Sequence, residues 1–215
     1  MKYLKMLGLA AVAAAALMAF AGAGTASASV VCSTTVSPCP VGQKWGNVAV
    51  DFSSENESGT GAGKTVFETG SDFLKNECES TVQGTLTNGT STATAKLSGI
   101  TLTWSSCNRH TTTLKTGTIE IHNVAGTSNG TVTASGFEWT MQFPAIFGEE
   151  VSCVFETGTG LGLGTLTEGN PATMDVSTTV ALATNQDPRC PSEPRWTGKY
   201  KFTTPSGTTG SLSTS

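Results

Sequence analysis

Phe137-Glu138-Trp139-Thr140-Met141-Gln142-Phe143 places four large apolar side chains in alternation with Glu, Thr and Gln. A period of two puts the four on one face and the polar three on the other, the pattern of a β-strand with one buried side. Working outward, Val151, Cys153 and Phe155 keep the same alternation, as do Ile119 and Ile121 against Glu120 and His122. Val48, Val50 and Phe52 open the pattern near the N-terminal side; Met174, Val176, Val180 and Leu182, then Trp196, Tyr200 and Phe202, carry it toward the other end. No ten-residue stretch has helical periodicity. The expected fold is all-β, an antiparallel β-sandwich or barrel of roughly nine to eleven strands joined by turn-rich loops.

Composition points the same way. The 215 residues include 37 Thr, 22 Ser and 25 Gly. Thr loses rotamer freedom in a helix and Gly costs about 1 kcal/mol per helical position. Charged residues make up 13% of the chain, against about 25% in an ordinary soluble domain. So little basic surface excludes a basic-patch nucleic-acid binder and leaves few groups for an anionic membrane or a metal.

Register is legible in two places. Leu74, Cys78, Val82 and Leu86 share one face up to Asn88-Gly89, a dipeptide favoured in two-residue hairpin turns. In the returning strand Ala93, Ala95 and Leu97 have one parity and Ile100, Leu102 and Trp104 the other. A β-bulge at Gly99 reconciles them.

Met1-Lys2-Tyr3-Leu4-Lys5, an apolar run and Ala26-Ser27-Ala28 form the three regions of a secretory signal peptide over 1–28. Cleavage there leaves 215 − 28 = 187 residues and, without Lys2 and Lys5, a balance of 10 basic against 16 acidic groups, or −6. The apolar run breaks at Gly22, Gly24 and Thr25, short of a membrane span. Val30-Val31 before Cys32 lacks the small residue that lipoprotein processing wants. The expected organisation is one β domain over 29–205 and a flexible polar tail over 206–215, in a protein secreted or loosely held at the cell wall with no membrane anchor.

Six cysteines, Cys32, Cys39, Cys78, Cys107, Cys153 and Cys190, lie in the mature part. An even number in an oxidising compartment predicts three disulfides, with sequential pairing expected among the several possible. Cys32 and Cys39 flank a short Pro-containing loop, and the other two couples sit on neighbouring predicted strands.

The motifs that suggest chemistry fail on detail. Gly59-Thr60-Gly61-Ala62-Gly63-Lys64-Thr65 resembles a phosphate loop, but Ser58 stands where the first glycine belongs and a strand follows, so no nucleotide is expected. Gly158, Gly160, Gly162 and Gly164 alternate strictly, which predicts a strand with one bare face and not a dinucleotide turn. His110 and His122 both look exposed, no G-x-S-x-G elbow is present, and Glu149-Glu150 point apart and lack a partner carboxylate. The chain reads as a non-enzyme with no cofactor and no metal site. Of its tryptophans, Trp104 and Trp139 are in phase with core residues. Trp45 and Trp196 are freer and are the candidate ligand-binding rings of a carbohydrate-binding module.

Glu77-Cys78-Glu79-Ser80-Thr81-Val82-Gln83-Gly84-Thr85-Leu86, then a Gly turn, residues 93–100 and a second cysteine at Cys107 resemble the secreted alkane-oxidation activator family of surface-fibre proteins. The chain is also similar to small secreted β-rich proteins of high-GC bacteria. The resemblance implies a secreted β protein with a structural or surface-active role and brings no catalytic residues. The functional expectation is a secreted non-catalytic surface or structural protein, self-associating through strand edges or adhesive to a cell-surface polymer. The rivals are an extracellular carbohydrate binder and a secreted hydrolase or inhibitor.

Overall fold

The computed structural model describes residues 29–32, 39, 44–55, 63–68, 75–88, 94–124, 127, 129–144, 149–169, 171–204 and 211–214. Residues 1–28, expected to be a signal peptide, and positions 59–62 of the phosphate-loop-like stretch lie outside them. In order, the strands are β1 (Ser29–Cys32), β2 (Val48–Glu55), β3 (Thr65–Glu68), β4 (Asn76–Asn88), β5 (Thr94–Ser105), β6 (Thr111–Lys115), β7 (Thr118–Asn123), β8 (Gly130–Ser135), β9 (Glu138–Pro144), β10 (Glu150–Glu156), β11 (Leu161–Thr167), β12 (Ala172–Thr179), β13 (Ala181–Leu182), β14 (Arg195–Thr203) and β15 (Ser211–Thr214).

Eight of these form a closed antiparallel barrel in the order β12-β11-β8-β7-β5-β4-β2-β14, with β14 returning to β12 from Ala172↔Phe202 to Thr179↔Arg195. Closure removes the unpaired edges that an open sheet would leave. One position in the wall is shared. β2 fills the gap between β14 and β4 at one end, and β3 fills it at the other, pairing Arg195↔Glu68 and Thr65↔Cys78. The chain leaves the wall after β2 and returns at Gly63, where the Ser54 hydroxyl donates to the Gly63 carbonyl at 2.9 Å and the Gly63 N–H donates to Ser54 O at 3.2 Å.

Three connections at one barrel end are themselves strands. β6 lies between β5 and β7, the β9–β10 hairpin between β8 and β11, and β13 between β12 and β14; together they make a four-stranded sheet in the order β13-β10-β9-β6. This lid turns Trp139, Met141, Phe143, Val151, Cys153 and Phe155 inward, all buried. Trp139 meets Phe67, Trp104 and Trp196 at ring separations of 5.8, 6.2 and 5.8 Å, so the lid and the barrel end share one aromatic core. The opposite end is closed by Val31 and Trp45, the latter 5.9 Å from Phe202. Asn88 joins these pieces: its Oδ1 accepts the Val31 N–H at 3.1 Å and its Nδ2 donates to the Trp45 carbonyl.

The disulfides are Cys32–Cys39, Cys78–Cys107 and Cys153–Cys190, the sequential order. Cys78–Cys107 ties the β5–β6 corner to β4, and Cys153–Cys190 ties the segment before β14 to β10.

The fold is thus all-β and disulfide-bonded, and of sandwich or barrel it is a barrel. Fifteen strands among the described residues exceed the nine to eleven expected, β13 being only two residues long. The extra ones, such as β6 (TTTLK) and β15 (SLST), carry no apolar alternation. They are strands because main-chain groups find partners. For the same reason the tail expected to be flexible over 206–215 contains β15, paired with β1 from Ser29↔Thr214 to Cys32↔Ser211. Asn88 pairs with Ala95, and Gly89 of the expected two-residue turn lies outside the described residues. The bulge does fall at Gly99: Gln83↔Thr101 gives way to Thr85↔Ser98, and Gly99 has φ +60°.

Candidate functional surface

The two rings expected to meet a ligand are inside. Trp45 is 7% and Trp196 6% exposed. Trp45 packs on Phe202, and Trp196 stacks on Phe67 at 5.4 Å while its indole N–H donates to Thr65 Oγ1 at 2.6 Å. Neither offers a flat face to a sugar. In sequence both stand beside glycine or proline and look free; what buries them is the plug at one barrel end and the lid at the other.

Among the described residues the barrel interior is packed with apolar side chains. A residual void of about 10 Å³ lies beneath the lid between Val82, Leu102, Ile119, Phe137, Trp139 and Leu163, among others. That is near the lower limit for one water molecule. Part of the interior polar set is joined in a directed chain, while the indole N–H groups of Trp104 and Trp139 are buried without a hydrogen-bond partner. Ser80 Oγ lies 2.8 Å from Tyr200 Oη, Tyr200 donates to Thr65 Oγ1 at 3.1 Å, and Thr65 donates to the Thr197 carbonyl at 3.1 Å. Burial pushes the Tyr200 phenol above its usual value, against the opposing pull of these hydrogen bonds. The Ser80, Thr65 and Tyr200 side chains of this series are all buried.

Other sequence candidates scatter. His122 lies on the outer wall with Thr133 Oγ1 at 3.4 Å and Glu120 Oε2 at 3.7 Å, both from the same ring nitrogen, Nε2. A catalytic triad needs the carboxylate on one nitrogen and the hydroxyl on the other. His110 is exposed in the β5–β6 corner, and Glu149 and Glu150 are exposed at the start of β10. The four alternating glycines do not share a bare face. Gly158 and Gly160 take positive φ in the turn before β11, Gly162 has open space where a Cβ would go, and Gly164 lies at a register shift, where a Cβ would overlap the Asp175 carbonyl. Among the described residues Asp187 has a strongly shifted carboxyl, held at about 2 by the Arg189 side chain and then by the Arg189 backbone N–H. Among the described residues no group of three His, Cys, Asp or Glu is placed to hold a metal ion.

What remains is the outer wall. Residues facing away from the barrel line up across strands because directly opposed pairs share a face. One row runs Thr167, Thr173, Lys201, Ser53, Thr81, Thr103 through five successive strand pairings. A second runs Thr203, Asp51, Gln83, Thr101, and a third Thr131, Thr165, Asp175, Lys199, ending where Lys199 pairs with the buried Glu55. Adjacent strands are about 4.8 Å apart, so these are ladders of hydroxyl, amide and carboxylate groups that donate and accept hydrogen bonds. A membrane-spanning barrel requires the reverse, apolar outside and polar within. The signal for the wall was present in the sequence as the polar half of every alternation; which polar residues become neighbours depends on long-range register.

Compared with protein-family models, curated proteins and solved structures, the chain matches none.

Proposed function

We propose that the chain is a secreted, non-catalytic surface protein that works by holding the hydroxylated outer wall of its barrel against a cell-surface polymer. The observation that carries this reading is the contrast between an interior packed with apolar side chains and the hydrogen-bonding rows on the wall. Three disulfides are consistent with an oxidising, extracellular setting. Binding through Trp45 and Trp196 loses its physical basis once both rings are buried.

Contact through the wall fits better than assembly through strand edges. The barrel is closed. In the lid, β13 is covered by residues 192–194, and β6 is a five-residue strand with a register shift between Thr113 and Lys115. Shortness, a bulge and a lysine are ordinary protections of an edge. The test is sedimentation of the mature protein with insoluble cell-envelope polymer. Retention that a soluble oligosaccharide competes away is expected; protein left in the supernatant at every polymer loading overturns the reading.

A further inference from the structure

β13 belongs to a sheet whose outer edge is occupied by a piece of the same chain. Ala183 N donates to Val154 O at 2.9 Å, so this parity of β13 faces β10. The other parity faces away, and there Val180 N donates to Pro194 O at 3.1 Å and Leu182 N to Ser192 O at 3.2 Å. The occupying segment runs Pro191-Ser192-Glu193-Pro194, and neither proline has an N–H to offer a further strand. It satisfies the β13 edge and presents a poor template of its own. The Cys153–Cys190 disulfide anchors its start to β10. Gln186 adds a second tie on the same side, its Oε1 accepting the Val154 N–H at 2.9 Å.

We propose that residues 190–194 are an edge guard latched by Cys153–Cys190, and that opening this disulfide exposes β13 to pairing with a second copy of the chain. The covered stretch Thr179-Val180-Ala181-Leu182 is uncharged, free of proline and rich in β-branched or aliphatic residues, the composition that favours strand pairing. Its outward N–H groups already bind backbone carbonyls in strand-like fashion, so a strand from another molecule is the matching occupant. The opening step balances with a dithiol reductant: its two sulfurs close into a disulfide as the Cys153–Cys190 bond breaks into two thiols.

The test compares full mature chains carrying Cys153→Ser with Cys190→Ser against chains carrying Cys32→Ser with Cys39→Ser. Hydrogen exchange is read at Val180 and Leu182 and at the barrel amides of β4, and mass is followed by light scattering over a concentration series. The expected result is loss of protection at Val180 and Leu182 with β4 protection kept, and a mass that climbs above one chain only in the first pair of variants. Retained protection at Val180 and Leu182, or lost protection with a single-chain mass throughout, overturns the proposal. If the first variant fails to fold, the same two readings on wild-type protein during stepwise dithiol reduction decide it, with β4 exchange as the internal check.

Discussion

Tyr200 Oη and Thr65 Oγ1 hydrogen-bond at 3.1 Å inside the barrel, joining β14 to β3 across the position in the wall that β2 and β3 share. Thr65 is fully buried and also takes the Trp196 N–H, so a single hydroxyl serves two donors and gives its own proton to Thr197 O. Replacing Thr65 with Val keeps the shape, leaves the buried Trp196 N–H and the Thr197 carbonyl without this hydroxyl, and leaves Tyr200 with Ser80 Oγ as its partner. At about 1–3 kcal/mol for an unsatisfied buried group, T65V is expected to lower stability by about 2 kcal/mol or more. Y200F, which removes a donor along with its need for a partner, is expected to cost less. Denaturant midpoints of the two variants check the order.

Tyr200 also makes alkaline stability measurable. Its folded value is raised by burial, so its contribution to stability is full below the unfolded value near 10 and is lost as pH rises beyond it. Tyr200 is the single tyrosine outside residues 1–28. Tyrosinate absorbance of a chain made without residues 1–28 is expected to appear together with unfolding and not before it.

Asp187 gives the opposite sign. Its carboxyl is held at about 2 against an ordinary 3.8, chiefly by the Arg189 side chain. The stability it adds is present above the ordinary value and lost as pH falls through about 2. The pair lies at the surface, with Arg189 exposed and Asp187 partly so, and the change in melting temperature is expected to be small. An NMR titration should show the Asp187 carboxyl rising toward the ordinary carboxylate range in R189A, and stopping short of it because the backbone N–H of residue 189 still donates to Asp187.

Trp196 is treated in the structure as core, not as a binding ring. W196A is expected to cost about 3–5 kcal/mol, the usual range for a buried aromatic truncated to Ala, and wild-type tryptophan fluorescence should resist aqueous quenchers. Removing Cys78–Cys107, which closes 29 residues, is expected to cost about 3–4 kcal/mol in the chain-entropy account. Thermal or denaturant unfolding of C78A with C107A measures it.

The core strands were legible because their apolar residues alternate: Trp139, Phe143, Phe155 and Phe202 stand where period two puts them. The bulge at Gly99 was legible as a change of parity. β6 and β15 were not, because nothing in Thr-rich or Ser-rich stretches distinguishes a strand from a loop until a partner strand is in place. Trp45 and Trp196 misled for a related reason. Exposure of a ring next to a loop is decided by which distant segment folds over it, here Val31 with Phe202 at one end and the lid at the other. The outer wall was visible only as polar composition, and its rows come from pairings as remote as Lys201↔Ser53.

The reading of the wall as the working surface is tested most directly by placing charge within one row and leaving the interior alone. T81K with T103K puts two lysines on adjacent outward positions of β4 and β5, where surface substitutions usually change stability by less than about 0.5 kcal/mol. Retention on insoluble envelope polymer is expected to be lost while the melting temperature stays near wild type. Undiminished retention by this folded variant would contradict the account.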